Sequence, residues 1–86
     1  MPTISRFYGI SIRMFYNEHN PPHFHAIYGR ARASFQIDSL QVLKGHLPPR
    51  AESFVVEWAR MHADELMRDW EMARRDEVPL PIAPLE

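Results

Sequence analysis

The chain has no cysteine among its 86 residues, so neither a disulfide framework nor a thiolate metal site is open to it. Glycine is scarce, with three in the whole chain. No glycine-rich phosphate loop, nucleophile elbow or zinc-finger spacing can be found. No run of about 18 apolar residues occurs, so no segment reads as membrane-spanning. The opening Met1–Arg6 lacks the apolar stretch of a signal peptide, and a cytoplasmic protein is the expectation. A net charge of −1 gives no whole-molecule attraction to nucleic acid. What the chain does have is 45% apolar and 12% aromatic residues, ample for one core in a chain long enough for one domain. A domain this small buries only about 60% of the surface its unfolded chain exposes, so its stability margin is thin.

The small net charge hides a division. Residues 1–50 carry six basic and two acidic side chains, net +4, while residues 51–86 carry four basic and nine acidic ones, net −5. The plain account is a solvated helix following an ordinary sheet. The functional account is a sheet face that attracts anions.

Residues Ile10 to Tyr16 alternate: Ile10, Ile12, Met14 and Tyr16 on one side, Ser11, Arg13 and Phe15 on the other. That is a half-buried strand. Asn17 to Pro22 is a loop by its asparagine and paired prolines. His23–Tyr28 and Ala31–Asp38 are strands joined by the two-residue turn Gly29-Arg30. Leu40–Lys44 is a short further strand, and Thr3–Tyr8 an added edge segment. The turn sets a register in which Tyr28 faces Ala31, Ala26 faces Ala33 and Phe24 faces Phe35. Directly opposed residues share a face, so Phe24, Ala26, Ala33, Phe35 and Ile37 form the apolar side. His23, His25 and Ile27 join Arg32, Ser34 and Gln36 on the other. A one-residue slip would bury Arg32, Ser34 and Gln36 instead.

Pro48-Pro49 opens a helix whose apolar stripe runs through Ala51, Phe54, Val55, Trp58, Ala59, Leu66, Trp70 and Ala73. It reaches about Arg75, with a break expected near His62-Ala63-Asp64 and Asp64 capping a second helix. The expected fold is therefore α+β: a three- or four-stranded antiparallel meander with one long or two short helices packed on one face. Residues 1–75 form the domain. Residues 76–86 form an extended, proline-rich tail that either packs back or offers itself to a partner.

Chemistry concentrates in His19-Asn20-Pro21-Pro22-His23-Phe24-His25. His23 and His25 are two apart on a strand, so both rings leave the same face, roughly 7 Å apart at Cβ. That spacing can place two imidazoles on one ion, and His19 can supply a third. Three histidines and a water make a catalytic zinc pattern, and imidazole also suits other divalent transition metals. Glu18 is the one acidic residue nearby. The plain account is a proline-shaped turn followed by half-exposed strand histidines. A third account is metal-free acid–base work on RNA, with His23 and His25 as base and acid and Arg13, on the same face by parity, as the cation that meets the phosphorane charge. His62 lies on the apolar stripe and reads as a core or rim residue that does not join the others. His46 has no evident role.

Taken together, Met1–Ser5, Phe7–Ile10, His19–Ala26, Leu47–Arg50, Trp58-Ala59, His62, Glu65-Leu66 and Trp70 resemble a family of small bacterial proteins known as domain of unknown function 4160. The resemblance spans nearly the whole chain to about Ala73, and the His-Asn-Pro-Pro-His-Phe-His run is its specific part. It implies a protein of about this size. It also implies a protein partner encoded nearby, since family genes often adjoin another small uncharacterised gene in an arrangement like toxin–antitoxin pairs. It assigns no catalytic residue, though it makes His62 part of the family pattern. The first functional reading is thus a protein-binding module of a two-gene system, with homo-oligomerisation left open. The alternative is a small histidine-dependent hydrolase or ribonuclease, with or without a metal.

Overall fold

The computed structural model describes residues 2–86; Met1, at the head of the first family-like segment, lies outside them. Five strands form one antiparallel meander in chain order: β1 (Thr3–Phe7), β2 (Ile10–Arg13), β3 (His23–Tyr28), β4 (Ala31–Gln36) and β5 (Val42–His46). Two helices follow, α1 (Pro49–Met61) and α2 (Ala63–Arg74). The fold is α+β as expected, with five strands rather than three or four. The extra strand is the N-terminal segment, which Tyr8 and Gly9 turn back onto β2 with positive φ at both positions, the backbone of a tight hairpin.

The central hairpin has the register expected from Gly29-Arg30: Phe24 opposite Phe35, His25 opposite Ser34, Ala26 opposite Ala33. Phe24 and Phe35 stack at 5.5 Å, and Trp58 of α1 lies against Phe24 and Phe7. Ile10, Ile12, Met14, Ile37 and Leu47 complete the buried layer with Ala51, Val55 and Ala59 of α1 and Leu66, Trp70 and Ala73 of α2.

The helical stripe does break, but not through Asp64. The chain leaves helical geometry for one residue, His62 (φ −127°), and resumes at Ala63 with no side-chain cap. Asp64 therefore already lies inside the first turn of α2, where its charge faces the positive end of the helix. β2 also stops at Arg13, earlier than the alternation suggests. β5 begins at Val42, two residues later than expected, because Leu40 at φ 61° closes a turn by donating its N–H to the Gln36 carbonyl.

The proline-rich tail packs back. Ile82 and Leu85 are buried. The Ile82 N–H donates to the Ile4 carbonyl at 2.7 Å, and the Trp58 indole N–H donates to the Ala83 carbonyl at 2.8 Å. The tail thereby meets the outer edge of β1 at Ile4. No helix is long and apolar enough to cross a membrane.

Candidate metal centre

After β2 the chain turns at Asn17, whose φ of 56° is one asparagine tolerates better than most residues. The Asn17 amide is tied across the molecule to the Asp76 carboxylate just past α2. This anchors the loop so that Glu18, the next residue, lies back over β3. His23 and His25, on alternate positions of β3, present their rings to that carboxylate. The His25 Nε2 is 2.5 Å from Glu18 Oε1, and the His23 Nε2 is 3.2 Å from the same oxygen. Ligand atoms of Glu18, His23 and His25 all lie within 4.8 Å of one another.

The other nitrogen of His23 sets the donor and acceptor roles in this arrangement. His23 Nδ1 is 2.7 Å from the Pro21 carbonyl. A carbonyl accepts only, so Nδ1 must carry the proton. In the neutral ring the Nε2 lone pair then points at the carboxylate oxygen. Two such acceptors 3.2 Å apart repel each other unless a proton or a cation lies between them. A backbone carbonyl fixing the tautomer of a histidine is also the support that metal-ligating histidines receive. His25 is held by stacking, its ring 4.1 Å from that of Phe15 and 19° from parallel. Donor atoms sharing one ion at roughly 2.0–2.1 Å lie about 3 Å apart, so small side-chain adjustments suffice.

The residues that the sequence singles out are thus partly brought together. His23 and His25 meet, and Arg13 sits opposite His25 in the ladder, its Nε buried with no partner. His19 is exposed and lies outside the cluster, whose third member is Glu18. The signal for Glu18 is its place as the one acid before the proline turn, but spacing cannot say which neighbour the turn folds inward. His25 leaves the face away from α1, as the register requires. His23 does not stay clear of the helices, because α2 reaches round the sheet end and sets Trp70 5.2 Å from its ring. His62 is a joint between helices. Its Nδ1 bonds the Glu65 carboxylate and its ring packs on Trp58 at 5.4 Å. His46 ends β5 and is exposed.

Fold and site together define a small α+β domain with a two-histidine, one-carboxylate cluster at one end of a sheet. The chain belongs to the family described as a domain of unknown function, DUF4160, whose profile matches residues 9–71. That match takes in the histidine–proline run, the Leu47–Arg50 helix start, α1 and α2 up to Glu71, while the N-terminal strand, the last turn of α2 and the tail lie outside it. No curated protein and no solved structure matches the chain.

Proposed function

We propose that Glu18, His23 and His25 hold a divalent transition-metal ion and that the domain is a small metal-dependent hydrolase. The observation that carries this is the convergence of both Nε2 atoms on one Glu18 oxygen while the His23 Nδ1 is committed to Pro21. Two imidazoles and a carboxylate suit zinc, iron or nickel. Three protein ligands leave a position for water, whose proton the ion would loosen at neutral pH. A bound ion would thereby supply a nucleophilic water for hydrolysis, with Glu18, His23 and His25 holding it in place.

Isothermal titration of the purified protein with zinc and with nickel at pH 7.5 tests the reading. One ion per chain is expected, with Glu18→Gln and His23→Ala each weakening binding by tenfold or more and His19→Ala and His46→Ala doing little. No heat of binding would sink it. Hydrolysis that survives a chelator would move the chemistry to a metal-free acid–base pair of His23 and His25.

A second reading keeps one observation of its own. The tail bonds the outer edge of β1 at Ile4, but every residue of β5 is exposed, and the groove beside it, lined by His46, Leu47, Val56, Arg60 and Met61, measures about 750 Å³. A partner encoded beside this chain, meeting it in the cytoplasm, could add a strand at that edge. Val42→Pro, which removes a backbone donor from β5, would then abolish co-elution with the co-expressed neighbour.

A further inference from the structure

On the sheet face away from α1 the register assembles a row that no stretch of sequence contains. Arg13 opposes His25, His25 opposes Ser34, and Ser34 opposes Lys44. These four residues cross β2 to β5, about 14 Å at the usual strand spacing. One step along the strands, Arg6 opposes Ser11, Ser11 opposes Ile27, and Ile27 opposes Arg32. Arg6, Arg13, Arg32 and Lys44 therefore share a face. Among the described residues none of them has a carboxylate within 4.0 Å, while the ion pairs of the chain lie at the histidine cluster and on the second helix and its C-terminal end. The acids of residues 51–86 lie on the helices and tail instead. Between these cations a cleft of about 260 Å³ opens over Ile27, walled by Phe15, His25, Arg32, Ser34 and Lys44.

We infer that this face binds single-stranded nucleic acid, with phosphodiesters along the cations and a base in the cleft beside Phe15. Four unpaired cations spread over more than one strand spacing fit a chain of phosphates better than one phosphate. An apolar and aromatic cleft between cations is the combination that sequence-tolerant single-strand binders use. The inference deepens the hydrolase reading by naming its substrate class, but the cations act whether or not an ion occupies the histidine cluster.

Fluorescence anisotropy with a labelled 12-nucleotide RNA, in chelator at low salt, tests it. Binding should weaken with salt at a log–log slope of about −2 to −3, as expected for three or four phosphate contacts on a single strand. Arg32→Gln with Lys44→Gln, both on exposed side chains, should weaken binding at least tenfold and flatten the slope. Arg30→Gln at the hairpin tip and Arg60→Gln on α1 should change little. His23→Ala should retain binding in chelator, so loss of the metal reading leaves this result standing. Conversely, metal binding with no RNA binding would overturn this inference alone. It would also be overturned by a duplex or polyglutamate binding as tightly as the single strand, or by a double variant that folds and binds like the wild type. Single-stranded DNA of the same sequence binding equally well supports it, since the contacts named are to phosphate and base.

Discussion

Asp69 is the most unusual single residue outside the site. Its side chain is fully buried, one oxygen has no partner, and the other accepts from Arg68 Nε and from the Leu80 N–H of the tail. Burial raises its pKa above the ordinary aspartate range, with the Arg68 and Leu80 bonds pulling the other way. The folded state thus holds the proton more tightly than the unfolded chain does. Its stabilising contribution is complete below the ordinary aspartate pKa and is lost as pH rises through the folded value. Asp69→Asn keeps an acceptor for Leu80 without a buried charge. It should melt higher than the wild type at pH 7, with the gap narrowing as pH falls toward 4. Equal gaps at both pH values, read by thermal melts, would show that Arg68 already neutralises the carboxylate. At the histidine cluster the sign is opposite for ligand binding. If Glu18, His23 and His25 hold an ion as proposed, protons compete with it for the imidazole lone pairs, so zinc affinity should fall on acidification, measurable by repeating the titration at pH 5.5.

Among the elements, β5 depends on one glycine. Gly45 has φ +82°, and a Cβ there would lie 2.2 Å from the Arg32 carbonyl oxygen and 3.0 Å from the Ala33 Cα. Both obstacles are backbone, so neither can swing away. Gly45→Ala should therefore detach β5 or cost several kcal/mol, as strain at a special backbone position does. A denaturation midpoint equal to the wild type would refute this. α1 depends on Trp58, fully buried against Phe7 and Phe24 with its indole N–H bonded to Ala83. Trp58→Ala should cost about 3–5 kcal/mol in chemical denaturation. Trp58→Phe should cost less, losing the hydrogen bond to the tail but little of the core.

For the molecule as a whole, the tail is a structural element rather than an appendage. It bonds β1 through Ile82, α1 through Ala83 and α2 through Leu80, and it buries Ile82 and Leu85 in the shared core. A small domain with a thin margin has reason to recruit such a segment. The Ile82 amide should accordingly exchange with deuterium as slowly as the interior amides of the sheet. Exchange at the rate of an exposed coil would show that the tail opens independently of the fold.

Sequence alone determined the elements whose physics is local. Alternation in Ile10–Arg13, the Gly29-Arg30 turn and the apolar stripe from Ala51 to Ala73 fixed strand, register and helix, because strand parity and helical period act between near neighbours. Register then settled that His23 and His25 share a face with Arg13. Tertiary structure decided the rest. Which loop residue faces the histidines depends on how the Asn17–Pro22 turn folds back over β3, with Asn17 bonded to Asp76, 59 positions away, and Glu18 rather than His19 completes the cluster. Trp70 came to rest on His23 only because α2 turns after His62. The net charge of −1 masks a division legible along the chain, net +4 over residues 1–50 and net −5 over residues 51–86, but not which side chains share a face. Packing α1 against the opposite side of the sheet turned that division along the chain into a cationic face.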